Sequence, residues 1–199
     1  MSIEFIPEST CSSDGTPIGF VRLGAGPAIL FVHGGLSPGD DWLQVATAMA
    51  GQFTCYVMVR RGRGPSGDAS DYAIDREYED IKAVLQVAGP GTHLLGHSYG
   101  AICALGAALR APIGHLVLYE PPLPVQGPVG GTALASYRAA VASHQLDEAL
   151  TIGLRDIVHL SAGEISALRP TPLWKQSAAL TPTWMRELEA INRLVQRIR

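Results

Sequence analysis

The sequence predicts an α/β fold, with a mostly parallel sheet opened by an N-terminal hairpin and followed by a helical cap. Three observations carry that prediction. Short apolar runs alternate with stretches of helical period between residues 28 and 120. An Asp-Gly pair separates two strand-like runs at the start. Beyond Pro122 the strand signals cease and helical periodicity takes over. Strand and helix in alternation argue for a parallel sheet joined by crossover helices.

The elements follow in order. "IEFIPEST" and "PIGFVRLG" flank "SSDGT", whose Asp14-Gly15 is a hairpin turn signal. "AILFVHGG" is apolar on both faces, as a strand inside a parallel sheet must be. Asp40 or Asp41 is expected to cap a helix running through Trp42, Val45, Ala46 and Met49. "TCYVMVR" is the fourth strand, and "RGRGPSGD" after it is a Gly/Pro-rich loop. "DREYEDIKAVLQVAG" sets Tyr78, Ile81, Leu85 and Ala88 on one helical face with charges opposite, and Gly89-Pro90-Gly91 stops it. "THLLGH" is the fifth strand. "YGAICALGAALR" is a helix apolar nearly all round, hence buried. "GHLVLYE" is the sixth strand, ended by Pro121-Pro122.

Two regions result: a core over 1–122 and a helical cap over 123–199. In the cap, "LDEALTIGLRDIV" is amphipathic, Ser161 and Glu164 have capping-box spacing, and Pro170 is a stop. "TPTWMRELEAINRLVQRIR" has Pro182 just inside a helix start and an apolar stripe through Met185, Leu188, Ile191, Val195 and Ile198.

Composition narrows the function classes. The 199 residues, 47% hydrophobic and 17% charged, suit a folded domain with well-buried layers. A net charge of -3 gives no field that favours nucleic acid or an anionic membrane, so neither is expected as a partner. The start shows no signal-peptide pattern, and no apolar run is long enough to span a bilayer. Three scattered cysteines without C-x-x-C spacing fit a reduced, cytoplasmic setting. No dinucleotide fingerprint, P-loop or metal-ligand cluster is found, so cofactor-free and metal-free chemistry is expected.

Gly96-His97-Ser98-Tyr99-Gly100 matches G-x-S-x-G, with a strand before it and a helix after it. Such a turn is sharp, and a side chain at 96 or 100 would collide where the strand end meets the helix start. The serine is lifted out of the sheet in a strained conformation, beside the positive end of the helix. The alternative is a Gly-rich turn with a serine that merely caps the helix. "HGG", residues 33–35, ends the earlier buried strand, where an oxyanion hole needs a backbone amide. The expected donors are the N–H groups of Gly35 and Tyr99; otherwise His33-Gly34 is simply a strand-ending turn.

Together "FVHGG", "RRGRGPSGD", "LLGHSYGA" and "LVLYEPP" span residues 28–122 and resemble the α/β-hydrolase superfamily, of the esterase, lactonase and haloperoxidase-like kind. The resemblance implies Ser98 as nucleophile, Gly35 and Tyr99 as oxyanion amides, and 123–199 as a lid. It also implies an acid and then a histidine that follow later strands. No seventh or eighth strand is found, so the chain is expected to be C-terminally truncated relative to the family.

Each histidine is therefore weighed. His33 belongs to the oxyanion turn, His93 and His97 lie on the elbow strand, and His115 starts the sixth strand. His144 and His159 lie in the cap, where either could lean over Ser98 as the base, though neither has an orienting motif. Glu120, at the end of the sixth strand and on the same rim as the elbow, is the candidate acid; its alternative role is to bond nearby loop amides. Arg60, Arg61 and Arg63 are expected to clamp their loop through carboxylates such as Asp68 or Glu120.

Two functions remain open. One is a serine hydrolase of an ester, thioester or lactone, with a small-molecule carbonyl substrate. The other is a catalytically incomplete fragment, or a binding protein, that needs a missing C-terminal segment. Under the second, the "HLVLYE" strand is an exposed edge that invites a homodimer or a complementing chain.

Overall fold

A six-stranded sheet in the order β1-β2-β4-β3-β5-β6 carries the elements that position the site. The structure is a computed structural model describing residues 3–125 and 127–194. It divides into two compact units, Met1–Pro122 and Leu123–Arg199. Strands β1 (Ile6–Cys11) and β2 (Pro17–Gly24) form the antiparallel hairpin. At its turn Asp14 accepts the Thr16 N–H at 3.0 Å and Gly15 adopts φ 82°. Strand β2 then pairs antiparallel with β4 (Thr54–Met58). Strands β4, β3 (Ala28–Val32), β5 (His93–His97) and β6 (Leu116–Tyr119) run parallel.

Burial explains the apolar runs. Strand β3 lies between two neighbours and is covered on both faces, so it has no polar side to show. Ile29 and Phe31 pack with Cys55, Val57, Leu23 and Ala46, the last on helix α1 (Leu43–Met49). Helices α2 (Ile74–Ala88) and α3 (Tyr99–Ala108) pack against each other. Gly106 of α3 makes that approach possible, because a Cβ there would run into the Tyr78 ring.

Two expectations need correction. Neither Asp40 nor Asp41 caps α1. Trp42, already in the right-handed helical region, is the N-cap residue, and Asp40 contributes only its backbone carbonyl, to Leu43 N–H at 2.9 Å. Nor do the charges of α2 all lie opposite its apolar face. Glu77 and Asp80 are fully buried beside Tyr78 and Ile81.

The second unit contains α4 (Ala133–Ala142), α5 (Leu146–Ile152), a π-helical turn (Gly153–Ile157), α6 (Ala162–Leu168), α7 (Pro172–Ala179) and α8 (Thr181–Leu194), and no strand among its described residues. The capping box at Ser161 and Glu164 forms in both directions. Tyr137, fully buried, packs edge-on against Trp184 and donates its OH to Thr181 O at 2.8 Å. Met185, Leu188 and Ile191 are buried along α8, whereas Val195 and Ile198 lie outside the described residues. Helices α4 and α7 had no separate signal in the sequence. No described helix is long and apolar enough to cross a membrane.

Candidate active site

Ser98 is the single residue between β5 and α3, and its backbone shows the strain of that turn: φ 52°, ψ −123°. Non-glycine residues rarely adopt positive φ, and the cost is of order 1–3 kcal/mol. The chain around it is compressed. A Cβ at Gly96 would strike the Gly100 carbonyl and Ala101, and one at Gly100 would strike the carbonyls of Val32 and His33. The turn is thus pressed against the end of β3, and Ser98 N–H ties it to Tyr119 O of β6 at 2.9 Å. The Ser98 side chain makes no capping hydrogen bond to α3, so the capping-serine alternative does not describe it. The Tyr99 N–H, first in the helix, has no acceptor within it.

The His33-Gly34-Gly35 segment lies alongside. A Cβ on Gly34 would lie 3.1 Å from Ser98 Cβ. His33 is fully buried, and both ring nitrogens are committed. Its Nε2 accepts the Arg60 backbone N–H at 3.0 Å, so its Nδ1 carries the proton and donates to Gly34 O at 2.9 Å. Burial, together with the charges of Arg63 and Arg60, holds this imidazole well below its ordinary pKa, so it is neutral.

Arginine–carboxylate pairs lie beneath the rim. Arg60 forks onto Glu77 at 3.1 and 2.9 Å, and Arg61 forks onto Asp80 at 2.6 Å twice while also reaching Asp14 at 3.0 Å. Burial by itself would raise the Glu77 carboxyl, but the Arg60 charge overrides it and holds the group below its ordinary value. Arg60 and Arg61 are therefore clamped by carboxylates as expected, but by Glu77, Asp80 and Asp14, which the sequence reading did not name. Helix α2 delivers two carboxylates three residues apart to its buried side.

A model of the alpha/beta hydrolase family matches residues 29–197. The chain belongs to that family. Among curated proteins it is similar to N-formylmaleamate deformylase of Pseudomonas putida, at 38% identity over 130 residues, which are 62% of this chain and 48% of the relative. An uncharacterized hydrolase of Bacillus subtilis is 29% identical over 122 residues, or 58% of this chain and 45% of the relative. These matches span about half the length of the curated relatives. Among solved structures, an alpha/beta hydrolase from Sphaerobacter thermophilus superposes with TM-score 0.83 at 33% identity, over 93% of this chain and 74% of that one.

In this α/β-hydrolase chain the fold brings Ser98, Tyr99, Gly96, Gly100, His33 and Gly34 together, with Gly35 next in sequence. His97 lies under the same turn, its ring stacked on Tyr119 at 5.1 Å and edge-on to Trp42 at 6.1 Å. Glu120 follows Tyr119 at the end of β6, exposed and at φ 50°. Within the first unit no histidine bonds to Ser98 among the described residues. His33 and His97 are engaged as above, and His93 and His115 meet each other with Nδ1 atoms 3.2 Å apart. His144 and His159 are both at positive φ in the second unit. No three metal-ligating side chains converge among the described residues. Sequence reasoning missed Glu77, Asp80 and Tyr72. The signal for Glu77 was available: it stands three residues after Ile74 and four before Ile81, inside the apolar stripe.

Proposed function

We propose that this α/β-hydrolase chain acts on a carbonyl compound through Ser98, as a serine hydrolase of ester, thioester or lactone bonds. One observation carries the reading: a non-glycine residue held at φ 52° on a strand-to-helix turn, with its hydroxyl unused as a helix cap. Strain of this kind persists only where the surroundings impose it, and it serves to present a nucleophile. Ser98 Oγ would attack the substrate carbonyl while a histidine, supplied by a further C-terminal segment or a partner chain, takes its proton. The N–H groups of Gly35 and Tyr99 would receive the oxyanion, whose collapse expels the alcohol or thiol with that proton and leaves an acyl-Ser98 for water to hydrolyse. Glu120 is the proposed acid, and residues 123–199 the proposed lid. The deformylase relative supports an acyl carbonyl as the reacting group. Three free cysteines support a reducing, cytoplasmic setting.

Labelling with a fluorophosphonate, read by intact mass, tests the assignment. One adduct per chain that Ser98→Ala abolishes is the expected result; a folded sample that takes up no adduct overturns it.

A second reading has its own observation. Among the described residues strand β6 closes the sheet with one unpaired edge, and Val117 and Tyr119 on it are 48% and 51% exposed. Under that reading this edge pairs with a second copy or a complementing chain, and the protein binds carbonyl compounds without turning them over. Light scattering that shows a dimer in the absence of labelling favours it.

A further inference from the structure

We propose that Arg60 is a positioning residue for the oxyanion hole: it fixes the Gly34–Gly35 peptide and thereby aims the Gly35 N–H. The inference rests on the assignment of Gly35 as an oxyanion donor. It concerns a residue with no chemical step of its own in the reaction.

The geometry runs through one buried guanidinium. Arg60 has no solvent exposure. Its Nε and Nη2 are held by Glu77, which leaves Nη1 aimed at the end of β3. Nη1 donates to Gly34 O at 3.0 Å and reaches His33 O at 3.4 Å. Gly34 O also accepts the proton of His33 Nδ1 at 2.9 Å. The peptide is trans, so the Gly34 carbonyl and the Gly35 N–H point in opposite directions across one rigid plane. Two donors on the carbonyl thus hold the Gly35 N–H on the side away from Arg60. A Gly-Gly pair has no side chain to resist rotation, and without such a clamp this peptide has free choice of orientation.

The same guanidinium reaches the second proposed donor. It lies over the Tyr99 ring, 4.5 Å from the centroid. Tyr72 OH donates to Glu77 at 2.9 Å and meets Tyr99 OH at 2.7 Å. Arg60 therefore joins the two elements that supply the oxyanion amides, β3's end and α3's start, to one ion pair on α2. Preorganised donors that need not reorient are what make an oxyanion hole effective.

The orientation can be read without catalysis. The sequence contains only two Gly-Gly pairs, 34–35 and 130–131. Cell-free protein made with doubly labelled glycine, carbonyl-13C and 15N, therefore gives two carbonyl–amide correlations, Gly35 and Gly131. Arg60→Met/Glu77→Met removes both members of the buried pair together, so neither is left facing an empty partner. The Gly35 correlation is expected to shift or broaden while Gly131 stays in place. Arg60→Lys, which keeps a charge for Glu77 but lacks the fork, is expected to move the same peak and serves if the double variant does not fold. Fluorophosphonate labelling of Ser98 should slow about ten- to a hundred-fold in either variant, with the folded signal retained. An unmoved Gly35 peak in a folded variant overturns the positioning role. If the variants move the Gly35 peak but the wild-type chain takes up no label, the hydrolase assignment is overturned instead.

Discussion

Ser98 is where local preference and global structure disagree. A serine at φ 52° is strained, and the surrounding carbonyls and the Tyr119 bond hold it there. Replacing it with glycine removes the strain as well as the hydroxyl. Ser98→Gly is expected to raise unfolding stability by about 1 kcal/mol, measured by urea, while abolishing fluorophosphonate uptake. Equal loss of stability and labelling would mean that the turn is not strained. Gly100 shows the reverse constraint: its missing side chain is space already filled by the carbonyls of Val32 and His33. His33 is likewise decided by its neighbours. In the sequence it is one of six histidines; in the fold, bonds on both nitrogens remove it from proton transfer.

Helix α2 does more than cover the sheet. Its buried side carries Glu77 and Asp80 among Ile74, Tyr78, Ile81 and Val84, and these two carboxylates hold the arginines that follow β4. Truncating one partner of a buried pair leaves the other charge stranded, and that costs about 3–5 kcal/mol. Glu77→Leu is expected to lose that much in urea unfolding. Glu79→Leu on the same helix, whose partner Lys82 is partly exposed, should change stability by less than about 0.5 kcal/mol. Similar losses from both would mean that the Arg60–Glu77 pair has no special weight. The helix periodicity and its glycine stop were legible in the sequence. Glu77 stood inside the apolar stripe, but its partner was not legible, because a Glu or Asp usually marks the solvent side and only a facing arginine reverses that.

For the molecule as a whole, the buried neutral histidine links folding to pH. The His33 pKa is depressed in the folded state, so below about pH 6.5 the unfolded chain binds a proton that the folded chain refuses. Stability therefore rises with pH through this window and falls as pH drops, by up to about 1.4 kcal/mol per pH unit from this one group. Urea unfolding at pH 7.5, 6.5 and 5.5 should show the decline, and His33→Gln should flatten it. Carboxylates with depressed values, Asp14 and Glu77, contribute below that window, where they lose stability as they protonate. A slope unchanged by His33→Gln would place the proton elsewhere.

The sequence by itself determined the periodic elements and the turn chemistry. It marked the hairpin at Asp14-Gly15, four parallel strands, helices α2, α3, α6 and α8, and the glycines around Ser98. These follow from local rules: side-chain period, backbone freedom and capping. Only the tertiary structure decided the strand order, the role of His33 and the pairing of Arg60 and Arg61 with α2. Each depends on residues distant in the chain meeting in a dry interior, where a charge or imidazole must find a partner. Which partner it finds is set by packing across the sheet, and no neighbour in sequence records it.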